Sequence, residues 1–277
     1  MAMNSVITNT GALVALQSLN KTNDELGVTQ KRISTGLRVA DAKDDGAAFA
    51  VSQKVKADMS GLTSANEQLG GVKGILDTTH AALNNISATM KDIRAVLVKM
   101  GDETLGTAEF AQYSAQYTQL RSQVTNFVSD AFYNGRTLLD TTAANGGGDI
   151  NTVRNESGGT TTVTSVDGAG TLIVATAPTT AANARTAIQA GGDFETVQTA
   201  INDALNKFGN DSRSVDAQVT YNKQKIDALE SGLGALVDAD LAKEAARLQS
   251  LQIRQQLGTT ALSTANQAPQ ALLSLFR

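Results

Sequence analysis

The protein has 277 residues, a formal net charge of −4 and no cysteine. These totals exclude a disulfide framework and a thiolate metal site. The acidic balance, with no run of lysines or arginines, also excludes the electrostatic footprint of a nucleic-acid-binding protein. Aromatic residues make up 4% of the sequence and there are two prolines. We therefore expect Ala, Leu, Val and Ile to pack long, thin helices rather than a thick globule.

The first forty residues show a seven-residue repeat that predicts a helix. Apolar side chains recur at seven-residue steps at Ala12, Leu19, Leu26 and Ile33. The companion row turns polar after Leu16, so this seam is weak and needs a partner helix. The helix is expected to break at residues 34–36, which end in a glycine.

A connector is predicted for residues 37–46, where charged and small residues mix without a clear period. Asp44 and Asp45 directly precede a helical segment, and acidic residues there suit the positive end of a helix dipole. The alternative is a metal site built on Asp41, Asp44 and Asp45. It lacks any further ligand pattern, and Lys43 lies among the carboxylates.

Two long runs then alternate steps of three and four residues, which predicts two helices with one apolar face each. The first run covers residues 47–100, and its most regular part is Leu76, Thr79, Leu83, Ile86, Met90, Ile93, Leu97 and Met100. A turn is expected at residues 101–106. The second run is Phe110, Tyr113, Tyr117, Leu120, Val124, Phe127 and Ala131. Its aromatic stripe is interpreted as a core seam, not as a cofactor site, because the spacing is that of helix packing.

The middle of the sequence carries turn and strand signals. Tyr133-Asn134-Gly135 predicts a turn, and residues 141–149 read as a loop. Two β-branched runs, residues 160–166 and 171–176, flank a Gly-containing segment and predict a β-hairpin over about residues 160–176.

Helical periodicity resumes near residue 180, with stripes that begin at Phe194 and at Val215 and a turn predicted between them at residues 209–212. Residues 238–277 are expected to form a closing helix that Pro269 bends or ends. The predicted fold is mainly α. It is a long antiparallel, coiled-coil-like hairpin of helices with paired N- and C-terminal helices and one small β-hairpin.

Both ends of the sequence lack charge, at residues 2–20 and 255–276. Their Gln, Asn, Ser and Thr residues argue against a membrane span. One interpretation is two core helices of a globular domain. The other is that the ends lie together and pack against copies of the same protein, since an uncharged polar surface lets identical copies meet without like-charge repulsion.

No arrangement for catalysis is visible. The sequence has one histidine and no HExxH, GxxxxGK[ST], GxGxxG or GxSxG motif, so no enzyme, cofactor or metal is expected. The first residues lack the basic and apolar regions of a signal peptide. That test alone indicates a cytosolic protein, although export routes without a cleaved signal leave no such mark.

Three groups of residues resemble the bacterial flagellins. The C-terminal run from Gln256 to Arg277 resembles the end of that family, and residues 31–45 resemble its N-terminal signature. The Tyr133-Asn134-Gly135 turn, followed by Leu138 and Leu139, resembles a flagellin turn with Tyr in place of the commoner Phe. The short length and the LFR ending are most similar to alphaproteobacterial flagellins.

The resemblance implies a secreted subunit that self-assembles into the extracellular flagellar filament for swimming motility, after type III export without a signal peptide. Residues 1–40 and 238–277 would form the inner core and residues 41–237 the outer tube. It also implies hook-associated, cap and export-chaperone partners, and neither nucleic acid nor membrane as a partner. The expected self-assembly residues are Leu13, Leu16, Leu19, Leu26, Ile33, Leu241, Leu248, Leu257, Leu262, Leu272, Leu275 and Phe276. The alternatives are a hook–filament junction protein and a secreted adhesin or binding module.

One segment departs from the family. Residues 90–99 lie where many flagellins carry the helix that a Toll-like innate receptor recognises. The family typically has a basic residue where Asp92 falls and an acidic one where Ala95 falls, whereas Arg94 is kept. The resemblance therefore implies weak or absent activation of that receptor.

Overall fold

The structure, a computed structural model, describes residues 8–275, with side chains described for residues 8–267. The elements in order are α1 (Thr10–Thr35), α2 (Gly46–Met100), α3 (Thr107–Ser129), a short 3-10 helix (Ala143–Asn145), β1 (Ile150–Val153), β2 (Thr160–Val163), α4 (Gly168–Thr171), α5 (Ala181–Ile188), α6 (Asp193–Val237) and α7 (Leu241–Leu275). The mainly-α prediction with one small antiparallel hairpin is confirmed. Helix α7 continues past Pro269, so this proline does not end the helix.

The protein divides into two compact units. The core unit is Asp58–Asp227, and the terminal unit comprises the residues before and after it. The divisions fall inside α2 and α6, whereas the predicted domain boundaries at residues 40 and 237 fall within the connector between α1 and α2 and at the end of α6.

In the terminal unit, α1 and α7 run antiparallel. Asn9 caps α1 with its side chain, which accepts a hydrogen bond from the Ala12 N–H at 3.0 Å and also donates to the Ala265 carbonyl at 2.7 Å. At the opposite end of the pair, Arg32 lies 3.1 Å from Glu244. Helix α1 ends at Gly36, whose φ of 72° is a left-handed conformation that glycine adopts without strain.

The two connectors of the terminal unit are joined by their backbones. Leu37 and Asp238 form an antiparallel bridge, and the Arg38 and Val39 N–H groups both donate to the Val237 carbonyl. A small apolar cluster of Val39, Ala48 and Val237 lies beside this bridge. The passage from α1 to α2 is therefore fixed to the passage from α6 to α7.

The core unit contains a continuous hydrophobic core. Every residue of the predicted α2 stripe is buried, from Leu76 to Met100. Tyr117 and Val124 of α3 join it, together with Ile201 and Phe208 of α6. The three-four spacing thus identified the buried faces of these helices, as expected for helices whose stability comes from packing.

The turn predicted at residues 209–212 is wrong, because α6 runs without a break from Asp193 to Val237. Phe208 and Val215 are buried on either side of the predicted turn. Burial of these two side chains on one helical face outweighs the local turn preference of the intervening polar residues. Arg213 adds a hydrogen bond from its guanidinium back to the Gly209 carbonyl at 3.2 Å.

The β-hairpin lies elsewhere than predicted. Strand β1 pairs with β2 in the register Ile150↔Val163 to Val153↔Thr160, so the first predicted strand is the second strand of the hairpin. Residues 171–176 form no strand. The backbone groups there bind side chains instead of a neighbouring strand. Tyr117 donates to the Ala175 carbonyl, Arg121 donates to the Val174 carbonyl, and the Ala175 N–H donates to Asp193.

The predicted turn at Tyr133-Asn134-Gly135 is confirmed. Asn134 and Gly135 have φ values of 49° and 74°, as a two-residue hairpin turn with a left-handed backbone requires. Tyr133 and Arg136 exchange two backbone hydrogen bonds across it. The Tyr133 ring lies against Gly74 of α2, where a Cβ atom would stand only 2.6 Å from the ring.

Candidate assembly surface on the terminal helices

The paired terminal helices leave large aliphatic side chains exposed. Leu257 is 64% exposed and Leu13 is 59% exposed. Leu16 and Leu241 are exposed as well. Four of the predicted self-assembly residues therefore keep much of their side-chain surface uncovered in the terminal unit.

The other predicted residues divide into two groups. The first group is only partly covered in the subunit and consists of Leu19, Leu26, Ile33, Leu248 and Leu262. The side chains of Leu272 and Leu275, and all of Phe276, lie outside the described residues. The sequence thus predicted a single set of assembly residues, and the structure divides the described members of that set into exposed and half-buried side chains.

Sequence reasoning missed three exposed aliphatic residues on the same two helices. They are Val14, Val28 and Ile253. Val14 and Val28 lie off the seven-residue apolar repeat of the first helix, and Ile253 is not among the residues chosen near the C-terminus. A search for apolar residues anywhere in the two helices, rather than on one stripe, would have found them.

Little of α1 is buried in the subunit. Thr29 is its one buried residue among residues 10–35, and Glu244 and Leu251 are the buried residues within the described side chains of α7. A few polar contacts join the two helices, including Gln255 to Asn23 at 2.8 Å and Arg247 to Glu25 at 3.8 Å. Glu244 keeps one carboxylate oxygen buried without a hydrogen bond. Few buried side chains and a few polar contacts therefore hold α1 and α7 together in the single subunit.

Two open grooves run along the pair. One, of about 500 Å³, is lined by Leu19, Leu257 and Gly258, with Lys21 and Arg254 at its side. The other, of about 390 Å³, is lined by Ala12, Leu13, Leu16, Leu262 and by Thr8, Asn9 and Asn266. Open grooves flanked by apolar side chains can accept the ridges of another helix.

The acidic connector is held by a lysine. Lys31 of α1 lies 2.6 Å from Asp41 and 3.1 Å from Asp44. Its hydrogen bonds lower the pKa of both carboxyl groups, and the two aspartates raise the pKa of Lys31. Asp45 instead caps α2 by accepting from the Ala47 and Ala48 N–H groups. Within residues 8–275, no group of three or more His, Asp or Glu side chains could hold a metal ion.

The segment compared with the innate-receptor site lies on the surface of the core unit. Asp92, Arg94 and Ala95 are exposed on α2, and so is Val98 one turn further on. Ile93, between them, is fully buried.

None of the helices within residues 8–275 is long and apolar enough to cross a membrane.

Comparison with known proteins gives one consistent family. The N-terminal helical region of bacterial flagellin matches residues 6–144, and the C-terminal helical region of bacterial flagellin matches residues 193–276. Flagellin FljO of Caulobacter vibrioides is 39% identical over 100% of both chains, and flagellin FljM of the same organism is 38% identical over 100% of both. A flagellin of Brucella melitensis is 35% identical over 99% of this chain and 100% of its own.

The matches to these relatives extend along the whole sequence and include both terminal helices and the core unit. They do not favour the hook–filament junction or adhesin alternatives. The flagellins are structural proteins, not an enzyme family. The protein therefore belongs to the bacterial flagellin family and is a structural subunit of the extracellular flagellar filament.

Proposed function

We propose that α1 and α7 carry the polymerisation of this flagellin, and that their exposed aliphatic side chains form the contacts between copies. The observation that carries the proposal is the exposure of Leu13, Leu16, Leu241 and Leu257 on a helix pair that is already formed. Fully burying a leucine contributes about 1.5 to 3 kcal/mol. Because these side chains are about half exposed, covering them adds about 1 kcal/mol each.

The weakness of the isolated pair supports the same mechanism. In proteins, most of the stability of a helix comes from packing of its apolar face, and α1 buries one residue in the subunit. The absence of charge from residues 2–20 and 255–276 lets identical surfaces approach each other. Assembly therefore completes the burial that the single subunit leaves unfinished.

We further propose the domain roles that the flagellin resemblance implies. Residues 1–40 and 238–277 form the inner core of the filament, and residues 41–237 form the outer tube. The backbone bridge between Leu37 and Asp238 lies close to both proposed boundaries, which supports a common joint there. An export chaperone and the hook-associated and cap proteins are proposed partners, with type III export as the route of secretion.

A double variant tests the assembly surface. Ile253 and Leu257 lie four residues apart on one face of α7 and are both exposed, so Ile253→Gln/Leu257→Gln removes apolar surface without emptying a core. We expect the variant to keep the circular dichroism of the parent and to lose seeded polymerisation. The matched control is Tyr221→Gln, at a similarly exposed residue of the core unit, which should polymerise. Equal polymerisation of all three proteins would refute the proposal.

We also propose that this flagellin activates the Toll-like innate receptor weakly or not at all. Asp92 and Ala95 are exposed, so a receptor would meet a reversed charge and a missing one. In a reporter-cell assay with purified monomer, the parent should be nearly inactive. The variant Asp92→Arg/Ala95→Glu should gain activity, and full activity of the parent would contradict the proposal.

A further inference from the structure

The sequence has two Asn–Gly pairs, at residues 134–135 and 145–146. Asn–Gly is the dipeptide in which an asparagine side chain most readily reacts with its own backbone, because glycine has no side chain to shield its nitrogen. The two pairs share one compact unit and one chemistry. Differences in their surroundings should therefore decide which of them reacts.

In the second pair, Asn145–Gly146, hydrogen bonds engage both the asparagine side chain and the glycine N–H. Asn145 donates its side-chain amide to Asp140 at 3.1 Å. The Gly146 N–H donates to the Ala143 carbonyl at 3.1 Å, and a Cβ atom at Gly146 would stand 2.2 Å from the Gly135 carbonyl oxygen. The attacking nitrogen and the amide under attack are both engaged, in a place too tight to rearrange.

The first pair is free by the same criteria. Within residues 8–275, no hydrogen bond is made by the Asn134 side chain or by the Gly135 N–H, and nothing lies within 4 Å of a Cβ placed on Gly135. Asn134 is exposed, and its φ of 49° is a left-handed conformation that costs a non-glycine residue some strain. Besides the Tyr133–Arg136 pairing, the Gly135 carbonyl oxygen lies beside Gly146, but neither contact engages the Asn134 side-chain amide or the Gly135 nitrogen.

We propose that Asn134 is a site of spontaneous deamidation, whereas Asn145 is protected. The Gly135 backbone nitrogen attacks the side-chain amide carbon of Asn134 and forms a new C–N bond. The original C–N bond of that amide breaks and releases ammonia. Solvent water then opens the cyclic imide. Cleavage at one carbonyl gives aspartate, and cleavage at the other gives isoaspartate. No oxidant, enzyme or cofactor is required.

The product changes the turn. Aspartate places a negative charge at its tip, and isoaspartate inserts an additional carbon into a two-residue loop. The two hydrogen bonds between Tyr133 and Arg136 depend on that loop length. The packing of the Tyr133 ring against Gly74 depends on it as well. Older protein would therefore carry a growing fraction of molecules with a loosened turn.

The test compares the two asparagines within one molecule. Full-length monomer is incubated at mildly alkaline pH and digested with trypsin. Fragmentation mass spectrometry then follows the mass gained when an amide NH₂ becomes a hydroxyl at each position. Because Asn145 and Gly146 each lose a hydrogen bond before reacting, we expect Asn134 to react at least about tenfold faster.

The same measurement in urea is the control, since the unfolded protein lacks the contacts that distinguish the sites. There the two rates should become similar. A folded-state ratio near one, or a faster reaction at Asn145, would overturn the proposal. A large ratio that persists in urea would overturn it too, because the selectivity would then come from sequence and not from the fold. The result does not depend on polymerisation.

Discussion

The two compact units of this flagellin use their apolar residues in opposite ways. In the core unit, large side chains such as Leu83, Ile86 and Phe208 are completely buried within the subunit. In the terminal unit, Leu13 and Leu257 remain more than half exposed although their helices are paired. Similar helical stripes thus serve internal packing in one unit and stay exposed in the other, where we propose that they contact other copies.

This difference indicates that stability and assembly are separable in one protein. Shortening a buried side chain in the core unit should destabilise the monomer. Shortening exposed side chains in the terminal unit should leave the monomer stable and impair its polymerisation. Urea unfolding of the monomer and seeded polymerisation should therefore respond to different sets of variants.

The largest effect is expected for Leu83→Ala. Leu83 is 0% exposed, and emptying such a site lowers the free energy of unfolding by about 3 kcal/mol through lost burial and a cavity. The matched variant Leu257→Ala should lower it by less than about 0.5 kcal/mol, as at most surface positions. Urea unfolding of the monomers, followed by circular dichroism, measures both. Equal losses would remove the distinction between the units.

The next effect concerns a buried polar group in the core unit. Asn222 is 0% exposed and donates to the Asn66 side chain and to the Arg154 carbonyl, both at 2.9 Å. Asn222→Ala leaves polar groups without these donors and should lower the free energy of unfolding by about 1 to 3 kcal/mol.

The double variant Asn66→Leu/Asn222→Leu removes both partners of one hydrogen bond. Gln218 still donates to the Arg154 carbonyl at 3.3 Å, so the double variant should cost less than Asn222→Ala. A double variant that is the less stable of the two would show that this network contributes more than the satisfaction of its members.

A smaller effect is expected at Gly74, where the Tyr133 ring occupies the place of a side chain. Alanine in a helix interior is favoured over glycine by about 0.5 to 1 kcal/mol. Gly74→Ala displaces the ring and should offset that gain. In a Tyr133→Ala background the full gain should appear in urea unfolding. The same change in stability in both backgrounds would mean that the ring does not press on this helix.

The smallest effect is a pH dependence of the terminal unit. Lys31 lowers the pKa of Asp41 and Asp44 in the folded state. Their stabilisation is therefore complete above the unfolded-state pKa of about 3.9 and is lost as the pH falls through the lower folded pKa. Lys31→Gln should flatten this acid loss in a circular dichroism titration, and Lys21→Gln is the matched control. Identical acid curves for all three proteins would contradict the role of Lys31.

The regular repeats made much of the fold predictable. The stripes on α2, α3 and α6 follow directly from a three-four spacing, because such a face must be buried for a long helix to be stable. The Tyr133-Asn134-Gly135 turn was predictable because Asn–Gly readily adopts the positive φ that a two-residue turn requires.

The wrong predictions arose where tertiary contacts decide. Residues 171–176 have strand composition, but their backbone is satisfied by Tyr117, Arg121 and Asp193, which are remote in sequence. Likewise, the turn-prone residues 209–212 are helical because their neighbours are buried. Neither outcome is encoded within a short window of sequence.

The candidate site was predictable only as a set of leucines. Periodic spacing shows that apolar residues share a helical stripe, and it cannot tell whether the stripe faces the partner helix or solvent. The distinction between exposed Leu257 and half-buried Leu262 required the pairing register of α1 and α7. For the same reason, exposed Ile253 was missed.

The most direct test of assembly through the terminal helices is seeded sedimentation of the full-length protein beside a version that ends at Arg254, in precipitating salt. We expect the full-length protein to pellet as filaments. The shortened protein should remain in solution with an intact core unit, as judged by cooperative urea unfolding. Equal polymerisation of the two proteins would show that the core unit carries assembly and would contradict the proposed role of the terminal helices.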